Sequence, residues 1–93
     1  MNQLSKDEAY KLALEFLSVE LWEREYLINL VADERSDIPS LVVEKDGQLF
    51  HILLHLDFWP IKTAPPPFLV STCLDVASDA KATLKIANVS AVN

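Results

Sequence analysis

The sequence predicts a single α/β domain, bordering on α+β, with a helix at the N-terminus and a β-hairpin at its centre. Three observations carry that prediction. A capping signal at Ser5 opens an amphipathic stretch. An Asp46-Gly47 pair separates two β-rich runs. Ninety-three residues, 51% of them hydrophobic, suffice for one modest core; a chain of that length hides roughly 60–70% of the surface it exposes when unfolded.

Ser5-Lys6-Asp7-Glu8 has the spacing of a capping box, in which the Ser5 hydroxyl and the Glu8 carboxylate satisfy each other's free amides. Apolar residues then recur at Ala9, Leu12, Ala13, Phe16 and Leu17, which predicts one buried helical face. Leu14 and Leu21 widen it, so the helix is expected to be well covered by other elements. Glu20 falls inside the apolar arc, which predicts fraying at that point.

Residues 26–31 read as a first strand, and residues 32–38 as a charged loop ended by Pro39. Asp-Gly is the strongest short hairpin signal, because a type I′ turn needs positive φ at both central residues. A turn at Asp46-Gly47 pairs Lys45 with Gln48, Glu44 with Leu49, Val43 with Phe50, Val42 with His51, Leu41 with Ile52 and Ser40 with Leu53. One face then carries Leu41, Val43, Phe50, Ile52, Leu54, Leu56 and Phe58, all apolar. A slip of one residue destroys that set, so pattern and register agree. Trp59-Pro60 through Pro65-Pro66-Pro67 leaves regular structure, since consecutive prolines donate nothing to a ladder. Residues 68–80 fit two templates: Leu69, Val70, Cys73, Leu74 and Ala77 as a helical face, or Phe68, Val70, Thr72, Leu74 and Val76 as a strand face. Residues 83–92 read as a final strand.

Composition excludes several classes of function. The formal net charge is −6, with only eight Lys and Arg and no basic cluster, so nucleic-acid binding by the monomer is not expected. A single cysteine, Cys73, rules out an intramolecular disulfide and a multi-cysteine zinc site. The start of the chain lacks the apolar stretch of a signal peptide. The longest apolar run, residues 49–59, is interrupted by His51, His55 and Asp57 and is too short to cross a membrane. The chain is read as cytoplasmic. With Gly47 as the one glycine, no phosphate-binding glycine loop is available.

From Pro39 to Leu56, the run Pro-Ser-Leu-Val-Val-Glu-Lys-Asp-Gly-Gln-Leu-Phe-His-Ile-Leu-Leu-His-Leu resembles the central hairpin of the restriction-endonuclease-like superfamily. Those metal-dependent nucleases carry Pro-Asp, an apolar run, an Asp-Gly turn, a second apolar run and Glu-x-Lys. The resemblance implies a three-layer α-β-β-β-α-β core, with residues 68–80 as the crossover helix and the last strand parallel to its neighbour. An alternative outside the resemblance is an N-terminal helix on an antiparallel meander. Where the family has its metal-binding Asp and Glu and its Lys, this chain has Ser40, Leu53 and His55. A hard divalent ion needs carboxylate oxygens, so the resemblance implies a scaffold that has lost its ligands. No catalytic residue, metal or cofactor is therefore expected.

Other candidate groups carry little chemistry. On a strand His51 and His55 lie ~13 Å apart, too far to share an ion. His55 and Asp57 share a face at ~7 Å. Asp37, Glu44 and Glu20 are the remaining carboxylates that migrated ligands would use. Cys73 reads as a buried structural thiol. Phe58, Trp59, Pro60, Ile61 and Pro66 combine aromatics with a rigid connector, and either close the end of the core or form an interface. The final strand reads as an open edge, which invites pairing between chains. The expectation is a binding module whose partner is a protein, including a second copy of itself. The competing readings are a residual nuclease with migrated ligands and a small immunity or secretion-chaperone type binding protein.

Overall fold

A computed structural model of the chain describes residues 5–32, 34, 37–58 and 61–91. Helix α1 spans Lys6–Glu23 and strand β1 spans Leu27–Val31. Strands β2 and β3 span Leu41–Lys45 and Gln48–Phe58. Helix α2 spans Pro67–Asp79, and strand β4 spans Thr83–Ala91. The class is mixed α+β: the described residues form two helices and a four-stranded sheet in the order β1-β2-β3-β4. The radius of gyration, 13.4 Å, matches the ~13 Å of a compact domain of about 100 residues.

Helix α1 begins as its sequence predicts. The Ser5 hydroxyl accepts from the Glu8 amide at 3.1 Å, and Glu8 Oε1 accepts from the Ser5 amide at 3.2 Å. Its far end differs from expectation. The helix continues past Glu20 to Glu23 and closes in a Schellman motif. There the Tyr26 amide donates to the Leu21 carbonyl (2.9 Å) and the Glu25 amide to the Trp22 carbonyl (3.0 Å). Glu20 is half-exposed and pairs with Arg24 at 3.6 Å, so it takes no part in the core.

The hairpin forms in the expected register from Lys45–Gln48 to Leu41–Ile52, with Asp46 and Gly47 at φ 55° and 79°. Strand β1 adds antiparallel to β2, with an irregularity at Asn29 between Ile28 and Leu30. The expected Ser40–Leu53 pair does not form. The ladder ends one position earlier, and the Ser40 amide donates instead to the carbonyl of Ile52 at 3.0 Å. The segment 68–80, open between two templates in sequence, is helical through Asp79, with Ala80 as the cap. Pro67 occupies the first turn, where a missing N–H costs nothing. This helix carries the chain back so that β4 pairs parallel to β3, from Phe50–Thr83 to Phe58–Ala91. A helix on an antiparallel meander is therefore not the arrangement.

Alternation along β3 assigns the two faces of the sheet. Leu41, Val43, Ile52 and Leu54 pack with Tyr10, Ala13 and Leu14 of α1, and Phe50, Leu56, Ala87 and Val89 extend that core. The intervening residues His51, Leu53 and Asp57 are buried on the other face. There α2 packs on β3 and β4 through its buried Cys73 and Ala77. The part of that face nearer β1 stays uncovered among the described residues, and Leu27 and Leu30 are exposed.

The buried side of α1 is rotated from its sequence expectation. Ala9, Tyr10, Ala13 and Leu14 are buried, with Leu17 and Leu21 packed against the core. Leu12 and Phe16, expected inside, are exposed together with Val19 and Trp22. The helix is apolar around most of its circumference, so the sequence permits either rotation. The sheet accepts the side on which the Tyr10 hydroxyl reaches Ser40.

Candidate functional site

Strand β3 runs six residues beyond the point where β2 begins, and a cavity of about 480 Å³ opens at that end of the sheet. Its apolar lining includes Leu53, Leu54, Leu56, Phe58 and Leu69. Lys6, Tyr10, His55, Asp57 and Thr63 supply the polar part.

The polar part is a closed hydrogen-bonded cluster. Thr63, on the connector after β3, donates to Asp57 Oδ1 from its hydroxyl at 2.6 Å and from its amide at 3.1 Å. His55 Nε2 lies 2.9 Å from Thr63 Oγ1 and 3.2 Å from Asp57 Oδ1. Since the Thr63 hydroxyl gives its proton to Asp57, its oxygen accepts from His55 Nε2–H. The Thr63 hydroxyl bond is the largest influence on Asp57 and holds its carboxyl below the ordinary 3.8; desolvation opposes this, and the Thr63 amide and His55 reinforce it. This cluster ties the connector to the sheet. It offers a metal one carboxylate and one imidazole, already engaged with each other.

The three positions at which the sequence departs from the nuclease pattern are only partly together. Leu53 and His55 both line the cavity. Ser40 is fully buried just before β2, and its Oγ lies 2.7 Å from the Tyr10 hydroxyl and accepts from the Leu54 amide at 3.0 Å. It thus replaces the ladder partner that Leu54 loses where β2 stops. The other carboxylates are placed elsewhere: Asp37 accepts from the Glu34 amide, Glu20 pairs with Arg24, and Glu44 lies in the β2 ladder between Leu27 and Leu49. Among the described residues, no three His, Cys, Asp or Glu side chains cluster as a metal site would require.

His51 is buried, and its Nδ1 finds no hydrogen-bond partner among the described residues. Cys73 is buried in the core-facing side of α2, where desolvation raises its thiol pKa and keeps it protonated. Of the expected interface, Trp59 and Pro60 lie outside the described residues. Phe58 is half-buried at the cavity, whereas Ile61 and Pro66 are exposed.

Two groups escaped sequence reasoning. Thr63 carries no motif and becomes visible only when the connector folds back on β3. The outer α1 residues Leu12, Phe16, Val19 and Trp22 were legible as a second apolar stripe at helical spacing, but the wider apolar arc on the same helix masked it. Among the described residues, no helix is long and apolar enough to cross a membrane. Comparison of the chain with protein-family models, with curated proteins and with solved structures finds no match.

Proposed function

We propose that this domain is a non-catalytic, restriction-endonuclease-like module that acts by binding protein and pairs with a second copy of itself. The observation that carries this reading is the outer edge of β4. Nine residues, Thr83–Ala91, form an edge strand with no described neighbour beyond it. It contains no proline, and Lys85 is its single charge, so one lysine is its only residue of the kinds that block edge pairing. Two such edges meet antiparallel about a twofold axis and continue the ladder into an eight-stranded sheet.

The absence of catalysis is supported by what the chain does with the positions in question. Ser40 is spent on Tyr10 and Leu54, Leu53 on the core, and His55 on Thr63 and Asp57. The element order and the parallel last strand favour the nuclease-like scaffold over an immunity-type meander.

Light scattering across a concentration series tests the proposal. The wild-type chain is expected to give a dimer, and the double substitution Ile86→Lys and Asn88→Lys to give a monomer with an unchanged circular dichroism spectrum. A wild-type chain that stays monomeric at several hundred micromolar overturns it.

A further inference from the structure

We infer that the outer face of α1 is a docking surface for a basic amphipathic helix of a different protein. The inference rests on reading the domain as a binding module, but it concerns a surface remote from β4. Leu12, Phe16, Val19 and Trp22 are 51–66% exposed and follow one another at helical spacings of four, three and three residues. They form one stripe, on the side of α1 opposite Tyr10, Leu14, Leu17 and Leu21. The stripe does not stop at the helix. Val19 shares a depression of about 630 Å³ with Val31 at the β1 edge, and Trp22 adjoins Tyr26 and Leu27 in a second, smaller one. An exposed apolar patch that extends from a helix towards a sheet edge, here with Lys11, Glu15 and Ser18 also lining the depression between them, marks an interaction site.

Charge selects the occupant. At 100° per residue, Glu8, Glu15 and Glu23 fall within the arc that the four apolar residues span, and Glu20 lies about 40° beyond Phe16. Helix α1 carries five acidic residues against two lysines, and only Lys11 stands beside the stripe. Glu20 and Glu23 occupy the last turn, where the helix already bears partial negative charge and which holds no basic residue. Arg24 offsets this at Glu20 alone, at 3.6 Å. Two copies of this face would set glutamates against glutamates, which disfavours a second copy here. An acidic membrane surface is disfavoured on the same ground. A helix with apolar residues at three- and four-residue spacing, flanked by Lys or Arg, covers the stripe and neutralises the glutamates set among and beside it.

The test uses the full chain carrying Trp59→Phe, which leaves Trp22 as the single tryptophan. The probes are two 18-residue amphipathic peptides of the same leucine pattern, one with lysine and one with glutamate on the polar face. The lysine peptide is expected to blue-shift Trp22 emission saturably, and to bind about tenfold more weakly at high salt. Phe16→Asp with Val19→Asp is expected to weaken binding by at least tenfold, although it makes the protein more acidic; Leu74→Asp on α2 is the matched control. Failure of the lysine peptide to bind, equal binding of the glutamate peptide, or indifference to the α1 substitutions overturns the inference. A wild-type dimer that Phe16→Asp dissociates also overturns it, because the stripe then belongs to a second copy. Dimerisation through β4 is read separately by the Lys substitutions there, so either reading can fail while the other stands.

Discussion

At the scale of single residues, Ser40, His55 and Asp57 hold the sheet end together through their hydrogen bonds. Ser40 supplies a hydroxyl where the β2–β3 ladder stops, and the Leu54 amide depends on it. His51 is the converse case: a buried ring nitrogen without a described partner carries a desolvation cost on the order of 1–3 kcal/mol, accepted where the surrounding packing compensates. Asp57 titrates in a way that reports the cluster. Its carboxyl is held below 3.8, chiefly by the Thr63 hydroxyl. Between the folded and unfolded values the unfolded chain binds more protons, so stability rises with pH through that interval. The contribution is fully present above 3.8 and is lost as pH falls through the lowered folded value. Thr63→Val removes the bond with the largest effect. Carboxyl NMR is therefore expected to show Asp57 titrating at higher pH in the variant. The stability difference between wild type and variant, read from urea melts, is expected to shrink below pH 3.8. An unmoved Asp57 titration sinks this account of the cluster.

At the scale of elements, both helices end in the same way without the residue that usually permits it. Glu25 and Lys81 adopt φ of 70° and 56° immediately after the helix caps. The Ala82 amide donates to the Ala77 carbonyl at 2.8 Å and the Lys81 amide to the Ser78 carbonyl at 3.0 Å, the same closure as at the end of α1. A left-handed conformation costs a side-chain-bearing residue about 1–2 kcal/mol, and glycine avoids it at some entropic expense in the unfolded chain. Lys81→Gly is thus expected to stabilise the protein by roughly 0.5–1 kcal/mol in a denaturant midpoint measurement at constant m-value. A destabilised variant refutes the Schellman reading. The same feature limits what sequence reveals here. The start of α1 and the β2–β3 turn are written in Ser5, Glu8, Asp46 and Gly47, whose local chemistry acts without tertiary help. The helix ends carry no glycine, so nothing in sequence marks Glu23 or Asp79 as final. The rotation of α1 was equally hidden, because Leu12 and Phe16 compete with Tyr10 and Leu14 for the core until the sheet is present. The site was legible only as positions on β3; the cluster needed Thr63, brought in by a connector whose path sequence leaves open.

At the scale of the whole molecule, charge and geometry bear on the same question. A metal-dependent phosphodiesterase must gather carboxylates around an ion and hold a polyanion against its surface. This chain carries fourteen acidic residues and a net charge of −6, so ligand atoms are abundant and the issue is where the fold puts them. Glu20, Asp37 and Glu44 are committed to other elements, and among the described carboxylates Asp57 alone lines the cavity. Its Oδ1 already accepts two bonds from Thr63 and lies 3.2 Å from His55 Nε2. An ion entering there must displace those bonds and still finds one carboxylate where several are needed. A ligand that binds only the folded state raises the melting temperature in proportion to the logarithm of its concentration over Kd. Millimolar Mg²⁺ or Mn²⁺, or micromolar Zn²⁺, is therefore expected to leave the melting temperature unchanged to within about 1 °C, since no three His, Cys, Asp or Glu side chains cluster among the described residues. A saturable rise of several degrees that Asp57→Asn abolishes would restore the residual-nuclease reading and place its ion in this cavity. A rise that Asp57→Asn leaves intact would put a metal site elsewhere and remove the argument from committed carboxylates.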